Sequence, residues 1–301
     1  MTGRNTSKWV LALFSGLTLL ACGGGDEGGK SVPKSDTLDT AAQHVDGGLM
    51  KVGGKLFSIP SPLQTALLIR KSGAPYAKEM PLATDAAAKF AAKQQRALAL
   101  GIYGADLAYV TIHKDGQRAL KTLQTIEQLS GQLELSNAFD KVLMDRFKKS
   151  MTNEDSLLRL TGTAFRAADT YLKNNERNDV SAWVLAGGWV EGMYLTIGEP
   201  GARMDQAVMD RIGEQKHALD NLVALLEQTD TEHSATALVA SLKELQGAYA
   251  GVSSTYQYQQ PTVDADKKIT FINSVTSTTI APDQVKAISE KVKAIRSTII
   301  A

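Results

Sequence analysis

The sequence is poor in the residue types that most often carry catalysis or bind metals. Its 301 residues include one cysteine, Cys22, and four histidines, His44, His113, His217 and His233. The histidines are far apart in the chain, and no HExxH, GxSxG, P-loop or strand-linked GxGxxG motif occurs. A single thiol also excludes an internal disulfide. We therefore expect no metal, no cofactor and no catalytic residue, and an enzyme with an unfamiliar site remains a third hypothesis.

The chain also lacks a strong charge of either sign. It has 33 Lys and Arg against 32 Asp and Glu, and without residues 1–21, which contain Arg4 and Lys8, the balance becomes 31 − 32 = −1. Phosphate binding needs a concentrated basic surface, so no nucleic-acid partner is expected. After residue 21, no apolar run reaches the roughly 18–20 residues that a membrane-spanning helix needs.

The N-terminus, in contrast, has the three parts of a secretory signal. Arg4 and Lys8 precede an apolar segment at residues 9–20, which is too short to span a bilayer, and the segment ends in LLAC at residues 19–22. This ending resembles the lipobox of bacterial lipoproteins. The resemblance implies that residues 1–21 are removed and that Cys22 receives acyl chains. Several acyl chains on one residue give a durable membrane anchor.

Residues 22–48 are predicted to be a flexible tether, because their glycine-rich, polar start (GGGDEGGK) cannot bury apolar surface. Gly23 rather than Asp follows the cysteine, which by analogy favours the outer membrane over the inner one. Asp26 and Glu27 are either solvated linker charges or resemble the acidic signals of surface lipoproteins. Residues 49–301 are predicted to form a single helical domain with a small β element.

The fold class predicted for this domain is mainly α, with about nine helices in an antiparallel array. A nearly apolar helix at residues 178–197 is expected at its centre, and another helix is expected to run from Thr84 to about residue 113. Residues 50–60 are predicted to form a hairpin, and residues 268–272 and 275–280 to form a pair of short strands. Pairing between these two β regions would unite the ends of the domain.

Two helices share an unusual pattern of glycines and acidic residues. Asp106 and Glu191 each lie three residues before a tyrosine, at an offset of 85 residues, which either duplication or chance explains. Glycine inside a helix costs about 0.5–1 kcal/mol relative to alanine, so the glycines of both helices need a reason. One reason is close helix packing. The other is a ligand groove between the helices, for which the candidate residues are Tyr103, Asp106, Tyr109, Trp189, Glu191 and Tyr194.

Three segments carry a resemblance to known proteins. They are FSIPSPLQTALLIRKSGA at residues 57–74, ALALGIYGADLAYV at 97–110 and NNERNDVSAWVLAGGWVEGMY at 174–194. Together they resemble a group of uncharacterised helical lipoproteins of Bacteroidetes-type bacteria. The resemblance implies a helical fold and an envelope location, and it brings no catalytic residues with it.

These observations lead to two main hypotheses of function. The first is a lipid-anchored, non-enzymatic interaction or accessory subunit of the cell envelope, held to the membrane through Cys22, with the outer membrane favoured and envelope proteins as its partners. The second is a lipoprotein that binds a small molecule or lipid in the groove between the two glycine-rich helices.

The anchor can be tested directly. Cys22→Ser should abolish labelling of the protein by radioactive palmitate and release it from washed membranes, because the acylated thiol is the proposed attachment. Ser31→Ala, in the predicted tether, should change neither readout. Persistent labelling of the Cys22→Ser protein would contradict the prediction.

Overall fold

The computed structural model describes residues 48–52, 55–59, 62–71, 75–135, 141–150, 153–198, 206–264, 266 and 269–301. These residues belong to one compact unit, and their main elements are helices. The α-helices of the described residues are α1 (Pro62–Lys71), α2 (Lys93–Ile112), α3 (Gly116–Gln132), α4 (Lys141–Lys149), α5 (Glu154–Asn174), α6 (Asn178–Ile197), α7 (Gln206–Thr229), α8 (Thr236–Ala248) and α9 (Pro282–Ile299). The predicted mainly α fold with about nine helices is confirmed.

Helices α2 and α6 form the centre of the core and pack against each other along their length. Residues 97–112 of α2 are buried without interruption, and α6 is buried on nearly all sides, as its apolar sequence predicted. The other helices surround this pair: α1, α3 and α5 contact α2, while α1, α5, α7 and α9 contact α6. A central pair of this kind needs apolar residues all round, and both helices have them.

The glycines of this central pair lie where the two backbones meet. A Cβ built on Gly101 would stand 2.6 Å from the amide nitrogen of Gly188, and one on Gly187 would stand 2.8 Å from the carbonyl carbon of Leu98. Both distances are too short for real atoms. Close helix packing, the simpler of the two sequence interpretations, therefore accounts for Gly101 and Gly187.

Two helices begin later than the sequence pattern predicted. The helix expected from Thr84 is divided into a 3₁₀ helix, Thr84–Lys89, and α2, because the Gln95 side chain accepts hydrogen bonds from the backbone N–H groups of Ala91 and Ala92 and starts a new helix there. The sequence also predicts a helix from about Thr231 to Ala250, which corresponds to α8. It starts at Thr236, because the Asp230 carboxylate binds the backbone N–H groups of Ser234 and Ala235 in a preceding turn.

The β structure of the described residues consists of three antiparallel strand pairs. The six strands are β1 (Gly48–Val52), β2 (Lys55–Ile59), β3 (Ser253–Gln257), β4 (Thr262–Asp264), β5 (Ile269–Phe271) and β6 (Val275–Thr279). Strand β1 pairs with β2, β3 with β6, and β4 with β5. The hairpin at residues 50–60 and the positions of β5 and β6 are thus confirmed.

The predicted strand pairing was wrong for the second β region. Strands β5 and β6 do not pair with each other, nor with the hairpin of β1 and β2; each pairs with an upstream strand of 253–264, whose Thr and Tyr content favours strands. The result is one long two-stranded hairpin, which we call the ribbon: residues 253–264 and 269–279. Gln257 pairs with Val275 and Thr262 with Phe271, so four residues of the first strand face three of the second in a bulge.

Several sequence predictions fall outside the described residues. The signal segment 1–21, Cys22 and the tether predicted at 22–48, up to residue 47, belong to this group. Within the ranges that the structure describes, no helix has the length and apolarity needed to cross a membrane.

The glycine contacts give a test of the core. Gly101→Ala and Gly187→Ala should each lower the free energy of unfolding by about 1–3 kcal/mol or more, because a methyl group must displace backbone atoms of the facing helix. Gly247→Ala in α8 is the control, since nothing lies within 4 Å of its added Cβ. The control should stabilise the protein by about 0.5–1 kcal/mol. Urea unfolding measures all three, and a neutral Gly101→Ala would contradict the contact.

Candidate functional site

The three candidate residues of α2 hold a segment of the chain itself. Tyr103, Asp106 and Tyr109 lie three residues apart and so share one face of the helix. The Tyr103 hydroxyl donates to the carbonyl of Ala83 at 2.8 Å. The Asp106 Oδ2 atom accepts from the backbone N–H of Leu82 at 3.0 Å, and the Tyr109 hydroxyl accepts from that of Ala77 at 3.0 Å. All three side chains bind the irregular connection at residues 76–83, which we call the inner segment.

Helix α3 binds the other side of the inner segment. The Arg118 guanidinium donates to the carbonyls of Lys78 and Pro81, the latter at 3.0 Å. The Tyr76 hydroxyl donates to the Asp115 carboxylate at 2.8 Å, and burial together with that carboxylate raises the pKa of Tyr76. An irregular segment has no backbone ladder of its own, so side chains must satisfy its polar groups when it is enclosed.

Two of the three candidate residues of α6, Glu191 and Tyr194, contact an arginine from the last helix. Arg296 in α9 donates from Nε to Glu191 Oε2 at 2.6 Å and from Nη2 to Oε1 at 2.9 Å. Nη2 also donates to the Met80 carbonyl of the inner segment at 3.1 Å, and the guanidinium carbon lies 4.0 Å from the centre of the Tyr194 ring. A bidentate pair with a stacked ring is a geometry that arginine provides and lysine does not.

Asp106 and Glu191 come together beside this arginine. Both side chains are completely buried, and the two carboxyl groups are close enough to share a proton. Burial, followed by the negative charge of Glu191, raises the pKa of Asp106 well above its ordinary value. The single guanidinium of Arg296 is bonded to Glu191 and neutralises that carboxylate. Asp106 has no cation of its own, so we assign the proton to Asp106. That proton also satisfies Asp106 Oδ1, which has no other partner among the described groups.

Trp189 takes no part in this cluster. Its indole N–H donates to the Gln215 side chain of α7 at 3.2 Å, and the side chain is 5% exposed. The cavity beside it, lined by Thr65, Met193 and Arg211 among others, has a volume of about 10 Å³. This space is far below the roughly 300–1,000 Å³ of a small-molecule site.

The predicted ligand groove is therefore filled by protein. The two helix backbones are in contact at the glycines, the inner segment covers the α2 candidates, and Arg296 covers Glu191 and Tyr194. An apolar cavity of about 40 Å³ near Gly104, Ile126 and Val184 is too small for a ligand. The larger depression, about 520 Å³ beside Asp85 and Lys121, is open surface that none of the six candidates lines.

Sequence reasoning missed Arg296 and the inner segment. A signal for Arg296 was present, because it follows Ile288 and Val292 at a spacing of four and so continues the buried stripe of α9. A charged residue on such a stripe needs a buried partner of opposite sign. The inner segment carries no comparable pattern, since its contacts are made by its backbone.

Comparison of the chain with protein-family models, with curated proteins and with solved structures gave no match. Within the part of the chain that the structure describes, no three His, Cys, Asp or Glu residues are grouped closely enough to hold a metal ion. The chemistry that the cluster can perform is structural: it neutralises buried charge and binds the inner segment to α2, α6 and α9.

The buried ion pair should be essential to stability. Glu191→Gln leaves Arg296 without a counter-charge and should lower the free energy of unfolding by about 3–5 kcal/mol. The exposed pair of Lys93 and Asp179, joined at 2.6 Å, is the matched control. Asp179→Asn should cost no more than about 1 kcal/mol in the same urea unfolding experiment. Similar losses for the two variants would contradict the buried role of Glu191.

Asp106 should make stability depend on pH. Because its folded pKa is raised, its contribution is fully present below the unfolded value near 3.8 and is lost as pH rises toward the folded value. Asp106→Asn imitates the protonated form. The stability of this variant relative to wild type should therefore increase from pH 5 to 8, by up to about 1.4 kcal/mol per pH unit.

Asp179→Asn provides the contrast in pH dependence. Burial raises the pKa of Asp179, but the hydrogen bonds from Lys93 and from the Val180 backbone, together with the charges of Lys93 and Arg177, outweigh it, and the net pKa is lowered. The difference in unfolding free energy between the Asp179→Asn variant and wild type should stay constant between pH 5 and 8. A constant difference for Asp106→Asn as well would show that Asp106 is ionised in the folded protein.

Proposed function

We propose that the protein is a lipid-anchored, non-enzymatic interaction subunit of the cell envelope, attached through Cys22, and that it binds its partner with the ribbon. The observation that carries this proposal is the exposure of apolar side chains on the ribbon. Seven of the eight exposed large hydrophobic residues among the described residues lie there, and the eighth is Val142 on α4. The seven are Tyr256, Tyr258, Val263, Ile269, Phe271, Ile272 and Val275.

These side chains are concentrated on one element and lie on both of its faces, because Tyr256 and Val275, like Val263 and Phe271, have opposite places in the strand alternation. Tyr258 and Ile272 are each 71% exposed, and they lie on the two sides of the bulge. A concentration of exposed apolar side chains on one element indicates a binding surface more than single exposed side chains do. Tyrosine and phenylalanine are also the residues that contribute most to protein interfaces.

The strands of the ribbon carry a single charged residue, Asp264 at the end of β4. No Lys, Arg, Asp or Glu occurs at residues 252–263 or 269–281, although 22% of the whole chain is charged. Depletion of charge is typical of the centre of an interface. On a solvent-exposed strand, in contrast, charged residues normally prevent unwanted pairing. The ribbon has the composition of a surface that another molecule covers.

Polar side chains among the described residues brace the ribbon at its bulge and at its base. Asn273 Nδ2 donates to the Gln260 carbonyl and to Thr262 Oγ1, both at 2.8 Å, and these bonds close the bulge. At the base, Lys216 in α7 donates to the Val252 carbonyl, and Thr278 is buried against α7. A two-stranded hairpin is marginally stable alone, so binding of a partner would also stabilise it.

The proposal predicts that ribbon variants lose the partner. The full-length lipoprotein would be crosslinked in its native membranes, purified in detergent and analysed by mass spectrometry. The double variant Tyr258→Ser, Ile272→Ser should reduce crosslinked partner by at least about tenfold, because two interface side chains of this size contribute more than 1.4 kcal/mol together.

Val142→Ser is the matched control, since Val142 is 63% exposed but lies outside the ribbon. It should recover the same partner as wild type. Thermal unfolding should be the same for all three proteins, because the altered side chains are exposed. Recovery of the wild-type protein without any crosslinked partner, or an undiminished partner with the double variant, would refute the proposed function.

A further inference from the structure

We infer that the partner of the ribbon is the ribbon of a second copy of this chain, paired antiparallel along its second strand to give a four-stranded sheet. The inference rests on the proposed function and specifies its partner. In such a pair, residues 269–277 of one copy would lie against the same residues of the other across a two-fold axis. A two-fold interface of this kind uses one surface patch on both copies.

The strand chosen for pairing follows from the edges of the ribbon. Strands β3 and β6 pair with each other and with no other described strand, as do β4 and β5, so the ribbon has two open edges. The first strand contains Pro261, which has no N–H to donate, so that edge lacks one of its ladder hydrogen bonds. The second strand has no proline, and residues 269–277 are exposed or half-exposed. This edge can accept a further strand.

The edge offered for pairing is long enough for a two-fold pair. Residues 269–277 number nine and extend over roughly 30 Å at about 3.3 Å per residue. When they are paired about Asn273, each of them lies opposite a residue of the other copy, so the same edge is used along its whole length on both sides.

The charge distribution permits self-association. In a two-fold pair, each residue of the edge lies near the same residue of the other copy. Any net charge on the edge would therefore cause repulsion. The only charged residue of the four strands is Asp264, at the end of β4, and the sequence that links β4 to β5 contains one Asp and two Lys, so the charges near Asp264 balance. In an antiparallel pair the tip of one ribbon lies beside the base of the other, where Ser253 and Thr279 are uncharged.

The open edges argue against the bilayer as the occupant. Tyrosines and apolar residues also suit a membrane interface, but unpaired backbone N–H and C=O groups are too costly in hydrocarbon for an open sheet edge to enter it. Pairing with another strand satisfies the same groups. A protein strand therefore fits both the side chains and the backbone of the ribbon.

The test is the oligomeric mass of the full-length lipoprotein in detergent. Light scattering with chromatography, corrected for bound detergent, should give two copies per particle for wild type and for Val142→Lys. Ile272→Lys and Ile272→Glu should each give one copy, because the two like charges become diagonal neighbours beside the two-fold axis and raise the dimer dissociation constant on the order of 100-fold or more. Co-expression of the Lys and Glu variants with different tags should restore a dimer that contains both.

The outcomes separate this inference from the proposed function. One copy of wild type at all concentrations, together with a different protein crosslinked to the ribbon, would overturn the inference and leave the interaction function intact. One copy with no crosslinked protein at all would overturn both. One copy with quenching of Tyr258→Trp fluorescence by brominated lipid would assign the ribbon to the bilayer instead. Failure of the Lys and Glu variants to associate would also exclude a symmetric ribbon pair.

Discussion

The contact between the backbones of α2 and α6 at Gly101 and Gly187 determines most of what surrounds it. Because the two helices approach this closely, the space between them is closed, and Asp106 and Glu191 come within hydrogen-bond distance of each other. Two carboxyl groups in a dry core need a cation and a proton. Arg296 provides the cation and thereby holds α9 against α2 and α6. The proton stays on Asp106, because the pKa of this carboxyl group is raised.

The same arrangement explains why the space between α2 and α6 does not form the predicted ligand groove. The aromatic and acidic residues of α2 and α6 have the composition of a ligand groove. Their polar atoms bind the backbone of the inner segment instead, whose carbonyl and N–H groups form hydrogen bonds with Tyr103, Asp106, Tyr109 and Arg296. The residue types correctly predicted that these side chains have binding partners. Only the three-dimensional contacts show that the partner is the backbone of the same chain.

The sequence predicted the parts of the fold that depend on periodic burial. The apolar sequence of α6 placed it at the centre, and the positions of β5 and β6 followed from their residue types. Strand pairing could not be predicted, because Thr- and Ser-rich strands without a buried face do not specify a register or a partner. The start of α2 depended on one side chain, Gln95, which competes with the helix that propensity favoured from Thr84. Arg296 was detectable on its stripe, but its partner was not.

The polar candidate residues of α2 and α6 are thus enclosed in the interior, whereas the exposed apolar residues lie on the ribbon. The proposed function uses the ribbon. Hydrogen exchange of the full-length lipoprotein, compared between native membranes and dilute detergent, tests this division most directly. The account predicts slower exchange in membranes confined to residues 253–279, with residues 76–83 and the central helices equally protected in both. Protection that changes at residues 76–83, or in α2 and α6, while the ribbon exchanges alike in both conditions would contradict it.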